Sequence, residues 1–201
     1  MHKGCYQKKF SKKEKDKIEK YIDLALTFNK THNLFVRKNK TEIFNKDIID
    51  CSPIITTIKP NNTVFDLGSG GGLPGILLSI TKPKNKITLV ESSQKKCYFL
   101  RSVVHKLGLK NTTILNETLT EKNKLGKFDI VTARAFAPIE KILRLTKDNI
   151  NKKGEYVLLK GKNKKTEEEL KFLDTKKYRY EIIKLDNKNH QRNMVLITKN
   201  E

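Results

Sequence analysis

The spacing of apolar positions changes near residue 60 of the chain. In the N-terminal part, apolar residues recur at helical spacing on one face of a predicted helix, namely Ile18, Tyr21, Ile22, Ala25 and Leu26. Ser11 and Glu14 form an S-x-x-E capping box, which marks the start of this helix. The stretch "EIFNKDIIDCSPII" predicts a second short helix that ends near Pro53. We therefore expect residues 1–60 to form a helical cap.

From Thr63 onward, short β-branched blocks alternate with helix-like segments. The predicted strands lie at about 63–67, 87–91, 112–115, 128–132 and 155–160. The predicted helices lie at about 73–81, 93–107, 138–150 and 164–174. Two last strands, 180–185 and 194–198, have no helix between them and predict an antiparallel hairpin at one edge of the sheet. The pattern predicts an α/β, Rossmann-like domain over residues 61–201, with a mostly parallel sheet and helices on both faces.

The charge balance is strongly basic. Lysine and arginine number 43 against 22 aspartates and glutamates, which gives a formal net charge of +21. A polyanionic partner such as RNA accounts for this excess, because lysines neutralise phosphates. An AT-rich genome accounts for it equally well, because such genomes favour lysine, asparagine and isoleucine codons. Charge alone leaves both explanations open.

The sequence shows no sign of a membrane or metal partner. No apolar run reaches the roughly 18 to 20 residues of a membrane span, and the start "MHKGCYQKKF" lacks the apolar core of a signal peptide. The three cysteines, Cys5, Cys51 and Cys97, are odd in number and far apart, without disulfide or metal-ligand spacing. We expect a protein of the reducing cytoplasm.

The segment "VFDLGSGGGLPG", residues 64–75, holds five of the ten glycines of the chain. It follows the first predicted strand and precedes its helix, where bare backbone lets a ligand approach closely. A tight turn needs only one or two glycines, so the segment predicts a ligand site. Gly70, Gly72 and Gly75 also satisfy G-x-G-x-x-G, the dinucleotide fingerprint.

Two acids decide between the possible ligands. Asp66 precedes the first glycine, where a carboxylate would repel a pyrophosphate but suit a cationic amino-acid end. S-adenosylmethionine has that end, a positive sulfonium and no phosphate. Glu91 closes the second strand, where an acid accepts hydrogen bonds from ribose hydroxyls of either cofactor. Asp66 therefore favours S-adenosylmethionine over a nicotinamide dinucleotide.

The reaction is constrained by motifs that the chain lacks. It has no N/D-P-P-Y/F tetrapeptide for amine methylation and no cysteine in a Pro-Cys or Thr-Cys setting for attack on pyrimidine carbons. A methyl acceptor that is already nucleophilic, such as N7 of guanine, would need no base. In "FDIVTARAFAP", Arg134 lies just beyond the fourth strand, at the edge where α/β sheets bind ligands. It would anchor a carboxylate, a phosphate or a flipped base, or else close the loop through an ion pair.

Four segments together resemble one known family: "DLGSGGGLPG", "TLVESSQKKCYFLR", "FDIVTARAFAP" and "LLKGKN". They are similar, in order and spacing, to segments of the bacterial small-subunit ribosomal RNA methyltransferase G, also called glucose-inhibited division protein B. The likeness runs from about Asn29 to Lys199. The loop D-x-G-x-G-x-G-L-P-G and the block R-A-F-A together are specific to that family, whereas generic methyltransferases share only the first half of the loop.

The resemblance implies a class I methyltransferase that moves a methyl group from S-adenosylmethionine to N7 of one guanine in 16S ribosomal RNA. With the two acids argued above, the implied cofactor-binding residues are Asp66, Gly68, Gly70, Leu73, Glu91, Leu119, Thr120 and Arg134. Lys160 and Arg192 align with basic family positions and are candidates for RNA contact or for solvated surface charge. No residue is assigned to the methyl transfer itself.

The chain departs from the family in the cap. Asp47 replaces a usual histidine, Cys51 replaces a serine, and His32 stands at a usual tyrosine. Three other functions stay open beside the RNA methyltransferase. They are a small-molecule or protein methyltransferase with the same pocket, a non-catalytic RNA-binding remnant, and a nicotinamide oxidoreductase, against which Asp66 argues.

Overall fold

The computed structural model describes residues 9–32, 34, 36–37, 39–187 and 190–200, apart from the side chains of 186, 187 and 190. Cys5 lies outside the described residues. Within this part of the chain, no helix has both the length and the apolar character needed to cross a membrane.

The cap begins with the predicted helix, α1 (Lys12–Asn29). The capping box at its start is formed, because Ser11 N donates to Glu14 Oε2 at 2.7 Å and Glu14 N donates to Ser11 Oγ at 3.4 Å. The apolar face of α1 is buried through Ile18, Tyr21, Ile22 and Ala25. Local spacing thus located both the start and the inner face of this helix.

The second part of the cap is one helical run with a wider turn inside it. It consists of α2 (Lys40–Ile43), a π-helical turn (Phe44–Ile48) and α3 (Ile49–Cys51), followed by α4 (Ile54–Thr57). The predicted end near Pro53 matches the break between α3 and α4. The π-helical turn was not predicted.

The remaining chain forms a seven-stranded sheet with the order β3-β2-β1-β4-β5-β7-β6. Its strands are β1 (Thr63–Leu67), β2 (Lys86–Glu91), β3 (Thr112–Asn116), β4 (Phe128–Arg134), β5 (Ile150–Lys160), β6 (Tyr178–Asn187) and β7 (His190–Lys199). The helices that alternate with them are α5 (Gly75–Thr81), α6 (Gln94–Leu107), α7 (Ile139–Thr146) and α8 (Asn163–Leu170). The first five strands run parallel, and β7 pairs antiparallel with both β5 and β6. The predicted fold class and edge hairpin are confirmed.

Three boundaries differ from their predictions by about four residues: α8 ends at Leu170 and not at 174, β7 begins at His190 and not at 194, and the connection between α7 and β5 also differs. Helix α7 ends at Thr146 and β5 already starts at Ile150, whereas a helix to residue 150 and a strand from 155 were expected. The chain turns at Asn149, whose Nδ2 donates to Asn123 Oδ1 at 2.7 Å and to Gly126 O at 2.9 Å. These partners are distant in sequence, so helical periodicity could not reveal the turn.

The core has two layers, one on each face of the sheet. Along β1, Val64 belongs to the layer that also contains Ile18 and Ile22 of the cap, whereas Phe65 and Leu67 belong to the opposite layer. The cap therefore shares a hydrophobic layer with the sheet. By the alternation of a strand, Asp66 lies on the Val64 face, beside the cap.

Candidate functional site

The glycine loop connects the carboxyl end of β1 to α5 and is held by hydrogen bonds from two sides. Gly68 N and Ser69 N both donate to Val90 O in β2, at 2.9 and 3.1 Å. From the cap, Tyr21 Oη donates to Gly71 O at 2.7 Å. The loop is thus fixed by the neighbouring strand and by α1 together.

The glycines of the loop serve two different purposes. Gly70 has φ +56°, and a Cβ added there would meet nothing nearer than Gly68 O at 3.7 Å, so the space beside it is open. At Gly75 an added Cβ would overlap Leu89 and lie 2.6 Å from Asp66 Oδ2. One glycine therefore leaves room for a ligand, and the other lets the helix pack on the strand.

Asp66 lies beneath the loop and is only 1% exposed. Its Oδ2 accepts a hydrogen bond from Gly75 N at 3.1 Å, and its Oδ1 accepts none within the described part of the chain. Burial raises the pKa of Asp66 to about 7. The side chain is therefore close to half-ionised at neutral pH and keeps unused hydrogen-bonding capacity. Its contact with a cofactor stays a prediction.

Glu91 braces the same loop from the end of β2. Its Oε2 accepts a hydrogen bond from Gly70 N, and its Oε1 accepts one from Ser93 N, each at 2.9 Å. Glu91 therefore connects the glycine loop to the start of α6. Its predicted contact with ribose hydroxyls is compatible with these bonds, because a carboxylate can accept about four.

Arg134 forms the ion pair that the sequence left as an alternative. One of its terminal nitrogens pairs with Asp47 of the π-helical turn, and the other donates to Cys51 Sγ at 3.4 Å. Asp47 also accepts from Arg37 Nε at 3.0 Å and is 1% exposed. Burial raises the pKa of the Cys51 thiol to about 11, which keeps it protonated at neutral pH. The cap therefore locks Arg134 in place, and its role as a cofactor contact stays a prediction.

The other predicted cofactor contacts are spread more widely. Leu73 is buried in the core layer beneath the cap. Leu119 and Thr120 line a separate cavity of about 280 Å³ in the loop after β3, which no residue of the glycine loop lines. The structure thus gathers Asp66, Glu91 and the glycines at one place, and the cofactor contacts of Leu119 and Thr120 stay predictions.

A larger cavity of about 590 Å³ opens between the cap and the sheet. It is lined by residues of the loop after β4, of β5, α8 and β7, and of the cap, among them Arg37, Arg134, Phe136, Lys160, Lys165, Glu169 and Arg192. Among the described residues, no group of three or more His, Cys, Asp or Glu side chains is arranged to hold a metal ion.

The two basic residues predicted to touch RNA both line this cavity, but each has a carboxylate partner. Lys160 Nζ lies 2.6 Å from Glu169 Oε2, and Arg192 Nε lies 2.9 Å from Asp50 Oδ2. Lys160 is nearly buried, so its interpretation as a solvated surface charge is wrong. Lys160 is removed from solvent because α8 places the Glu169 carboxylate beside it, a pairing that the sequence does not reveal.

Sequence reasoning missed two residues that tie the cap to the site. The spacing in the sequence places Tyr21 on the apolar face of α1 and does not reveal that its hydroxyl bonds to Gly71 O. Asp47 was noted as a departure from a family, although it is an acid between the buried residues Ile43 and Ile48. A carboxylate on an otherwise apolar helical face was the available signal, because a buried charge needs a partner.

The sheet order, the glycine loop at the end of β1 and the acid at the end of β2 define a class I methyltransferase. Solved structures confirm the fold. A ribosomal protein L11 methylase from Lactobacillus delbrueckii subsp. bulgaricus matches with a TM-score of 0.60 at 17% identity, over 83% of this chain and 81% of that one. A precorrin-6y C5,15-methyltransferase from Geobacter metallireducens matches with a TM-score of 0.58 at 16% identity, over 85% and 92%.

The family follows from sequence comparison. Residues 14–195 match the family described as GidB, rRNA small subunit methyltransferase G, and the chain belongs to this family. The ribosomal RNA small subunit methyltransferase G of Brachyspira hyodysenteriae is 36% identical over 192 residues, covering 94% of this chain and 93% of that protein. Its counterpart in Francisella tularensis subsp. tularensis is 34% identical over 179 residues, covering 89% and 85%.

These matches confirm the resemblance seen in the sequence. As a member of this family, the protein is an S-adenosylmethionine-dependent methyltransferase of small-subunit ribosomal RNA.

Proposed function

We propose that the protein methylates N7 of one guanine in 16S ribosomal RNA, with S-adenosylmethionine as methyl donor. The observation that carries this proposal is the glycine loop, which is open beside Gly70 and lies over the half-satisfied carboxylate of Asp66. Family membership supports ribosomal RNA as the substrate, and the residues at the loop support S-adenosylmethionine as the cofactor.

The residues at the loop fit S-adenosylmethionine better than a dinucleotide. The free Oδ1 of Asp66 would accept a hydrogen bond from the cofactor's amino group or from a bridging water. Two acids, Asp66 and Glu91, would repel a pyrophosphate at the same place. The full set of residues proposed to hold the cofactor is Asp66, Gly68, Gly70, Leu73, Glu91, Leu119, Thr120 and Arg134.

The acceptor explains why the site needs no general base. S-adenosylmethionine, when bound, would supply an electrophilic methyl group. The lone pair of guanine N7 would form the new N–C bond as the S–C bond breaks, the neutral thioether would leave, and no proton would be lost from the base. The Cys51 thiol is not a free nucleophile, because it stays protonated and its sulfur accepts a hydrogen bond from Arg134 at 3.4 Å. The protein's contribution is to hold the acceptor in line with the methyl group.

Charge and organisation support an RNA partner. The net charge of +21 suits 16S ribosomal RNA or the small ribosomal subunit, and Lys160 and Arg192 line the main cavity. We further propose that residues 1–60 act as a cap on the methyltransferase domain of residues 61–201, and that the protein works in the cytoplasm.

Calorimetry with S-adenosylmethionine tests the cofactor site, with NAD as the competing ligand. We expect micromolar binding of S-adenosylmethionine by the wild type, no binding of NAD, and loss of binding on Asp66→Ala. Arg134→Ala is expected to weaken binding. Asp148→Ala, at an exposed acid, serves as the matched control and should bind as the wild type does. A folded wild type that binds no S-adenosylmethionine would refute catalysis and leave an RNA-binding remnant.

The acceptor is tested separately by mapping N7-methylguanine in ribosomal RNA from cells with and without the protein. One modified guanine that disappears from 16S ribosomal RNA in the deletion strain is the expected result. Cofactor binding without any change in ribosomal RNA would instead favour a small-molecule or protein substrate.

A further inference from the structure

We infer that Phe136 is the aromatic face on which the target guanine stacks, inside the cavity between the cap and the loop after β4. This inference rests on the proposed function, because it names the place of the RNA base in that reaction. Phe136 belongs to the R-A-F-A block, but neither the cofactor assignment nor the candidate RNA contacts gave it a role.

Phe136 is unusual in its exposure and its position. Its side chain is 40% exposed, although most large apolar side chains of this protein are buried. Among the described residues, the other exposed large apolar side chains, Val36, Tyr98, Phe172 and Tyr180, do not line the cavity. Proteins hold unpaired RNA bases by stacking them on exposed aromatic rings of this kind.

The ring also lies directly beside the cofactor loop. A Cβ added to Gly68 would overlap the ring of Phe136, so the ring packs against bare backbone at the first glycine. The same side chain lines the cavity. A base stacked there would be next to the glycine loop, as methyl transfer requires of the acceptor.

The loop that presents Phe136 is held from both sides by a nearly buried ion pair. Lys160 Nζ donates to Ala137 O at 2.8 Å, and Glu169 Oε2 accepts from Ile139 N at 3.0 Å. Lys160 and Glu169 are themselves 2.6 Å apart, with side chains 10% and 14% exposed. This pair therefore acts as a positioning device for the loop.

Backbone conformation adds to this picture. Ala135, the residue before Phe136, has φ +52°, a left-handed conformation that is uncommon for residues with a side chain. Such outliers persist where the surroundings fix them, and they concentrate at functional sites. The strained residue and the clamped loop together keep the ring facing the cavity.

The charges around the cavity suit the rest of a flipped nucleotide. Arg37, Arg134 and Arg192 line the cavity and are partly exposed, although each is paired with a carboxylate of the cap. Lys165 also lines it and is exposed. Phosphates flanking a flipped base meet such groups, whereas the base itself needs an apolar face. A volume of about 590 Å³ lies within the range of small-molecule sites and admits one base with its sugar.

The test compares aromatic and non-aromatic replacements of Phe136. We would measure kcat/KM for methyl transfer to small subunits from cells lacking the enzyme, and separately the Kd of S-adenosylmethionine by calorimetry. Phe136→Leu is expected to lower kcat/KM roughly 5- to 150-fold, the loss of one base–aromatic stack. Phe136→Tyr and Phe136→Trp should keep activity within a few-fold. The Kd of the cofactor should change less than threefold in all three.

Two controls separate stacking from packing. Phe172→Leu removes a ring that is largely exposed and does not line the cavity, and it should leave kcat/KM unchanged. Thermal unfolding of Phe136→Leu shows whether the variant is folded, and activity regained with tyrosine or tryptophan at the same position shows that an aromatic face is what is needed.

The inference is overturned if Phe136→Leu keeps wild-type kcat/KM, or if it weakens cofactor binding as much as it lowers kcat/KM. The latter result would make Phe136 a cofactor contact. A wild type that binds no S-adenosylmethionine, or leaves guanine unmodified, refutes the proposed function itself. The two failures are therefore distinguishable in the same set of measurements.

Discussion

Asp66 under the glycine loop and Asp47 in the cap are buried to the same extent, but their carboxylates are satisfied in opposite ways. Asp47 in the cap lies between two arginines, Arg37 and Arg134, which neutralise its charge. Asp66 under the loop has only a backbone N–H on one oxygen, and burial raises its pKa to about 7. Both side chains are 1% exposed.

The difference separates an acid that the protein itself neutralises, Asp47, from one that keeps hydrogen-bonding capacity, Asp66, for which binding of a ligand stays a prediction. A paired buried carboxylate has its charge compensated by the protein, so it stabilises the fold and has little left for a ligand. A buried acid that keeps one oxygen without a hydrogen bond destabilises the fold at neutral pH unless something binds to it. The paired Asp47 thus stabilises the cap, whereas Asp66 under the loop still has an oxygen that a cationic group could bind.

The largest effect is expected from Asp66→Asn, measured as the pH dependence of stability. The pKa of Asp66 rises from 3.8 to about 7 on folding, so the unfolded chain ionises first as the pH increases. Wild-type stability should therefore fall between pH 4 and pH 7, by about 4 kcal/mol at most, relative to the variant. Urea unfolding of both proteins at pH 4.5 and pH 8 measures this difference.

Asp129→Asn provides a control with the opposite sign. Hydrogen bonds, chiefly from the backbone N–H of Thr63, lower the pKa of Asp129. Its contribution to stability is present above the unfolded pKa and is lost as the pH falls through the folded one. If the stability of wild type and of Asp66→Asn changes with pH in the same way, the contrast drawn between Asp66 and Asp47 is wrong.

Asp47→Ala is expected to lower the free energy of unfolding by about 3 kcal/mol, because it leaves two arginines without their shared carboxylate. Asp23→Ala is the matched control, since its pair with Lys40 is exposed at 2.5 Å and should contribute less than about 1 kcal/mol. Chemical unfolding at pH 7 compares the two. If both variants lose the same free energy of unfolding, Asp47 does not stabilise the cap more than an exposed ion pair does.

Gly75→Ala tests whether the loop packs as tightly as its geometry indicates. The new methyl group would overlap Leu89 and crowd Asp66, so we expect a loss of about 2 kcal/mol and weaker binding of S-adenosylmethionine. Gly161→Ala is the control, because an added Cβ there meets nothing within 4 Å and φ is not positive. Thermal unfolding should leave Gly161→Ala near the wild type.

The smallest effect is expected from Tyr21→Phe, which removes the hydrogen bond from the cap to Gly71 O. We expect a loss of about 1 kcal/mol and a raised Kd for the cofactor. Tyr156→Phe removes a hydroxyl that is likewise buried and lies 3.4 Å from Thr146 Oγ1, in the opposite core layer. It should lose similar stability without a change in the Kd. If Tyr21→Phe and Tyr156→Phe bind the cofactor with the same Kd, the hydrogen bond from the cap to Gly71 O does not affect cofactor binding.

Features that depend on the spacing of residues close together in the sequence were predictable. The capping box of α1, the alternation that gives the sheet, and the glycine loop with its two acids all depend on residues a few positions apart. The structure confirms these elements and gathers Asp66, Gly70 and Glu91 at one place. The length of α7 was wrong because the turn at Asn149 depends on partners more than twenty residues away.

The site beyond the loop was not predictable in this way. Arg134 pairs with Asp47 across 87 positions, and Tyr21 reaches Gly71 across 50. Lys160 was expected at the surface and is instead paired with Glu169 on α8. No periodicity connects such residues, because their approach depends on how the cap and the helices pack on the sheet.

By itself, the sequence determined the fold class, the family and the place of the glycine loop, since each depends on local spacing along the chain. The tertiary structure alone decided which charges are neutralised, that Phe136 lines a cavity, and that Asp66 keeps one oxygen without a hydrogen bond among the described residues. The physical reason is that burial and electrostatic pairing are properties of packed neighbours. Those neighbours are chosen when distant segments meet, and no single segment contains them.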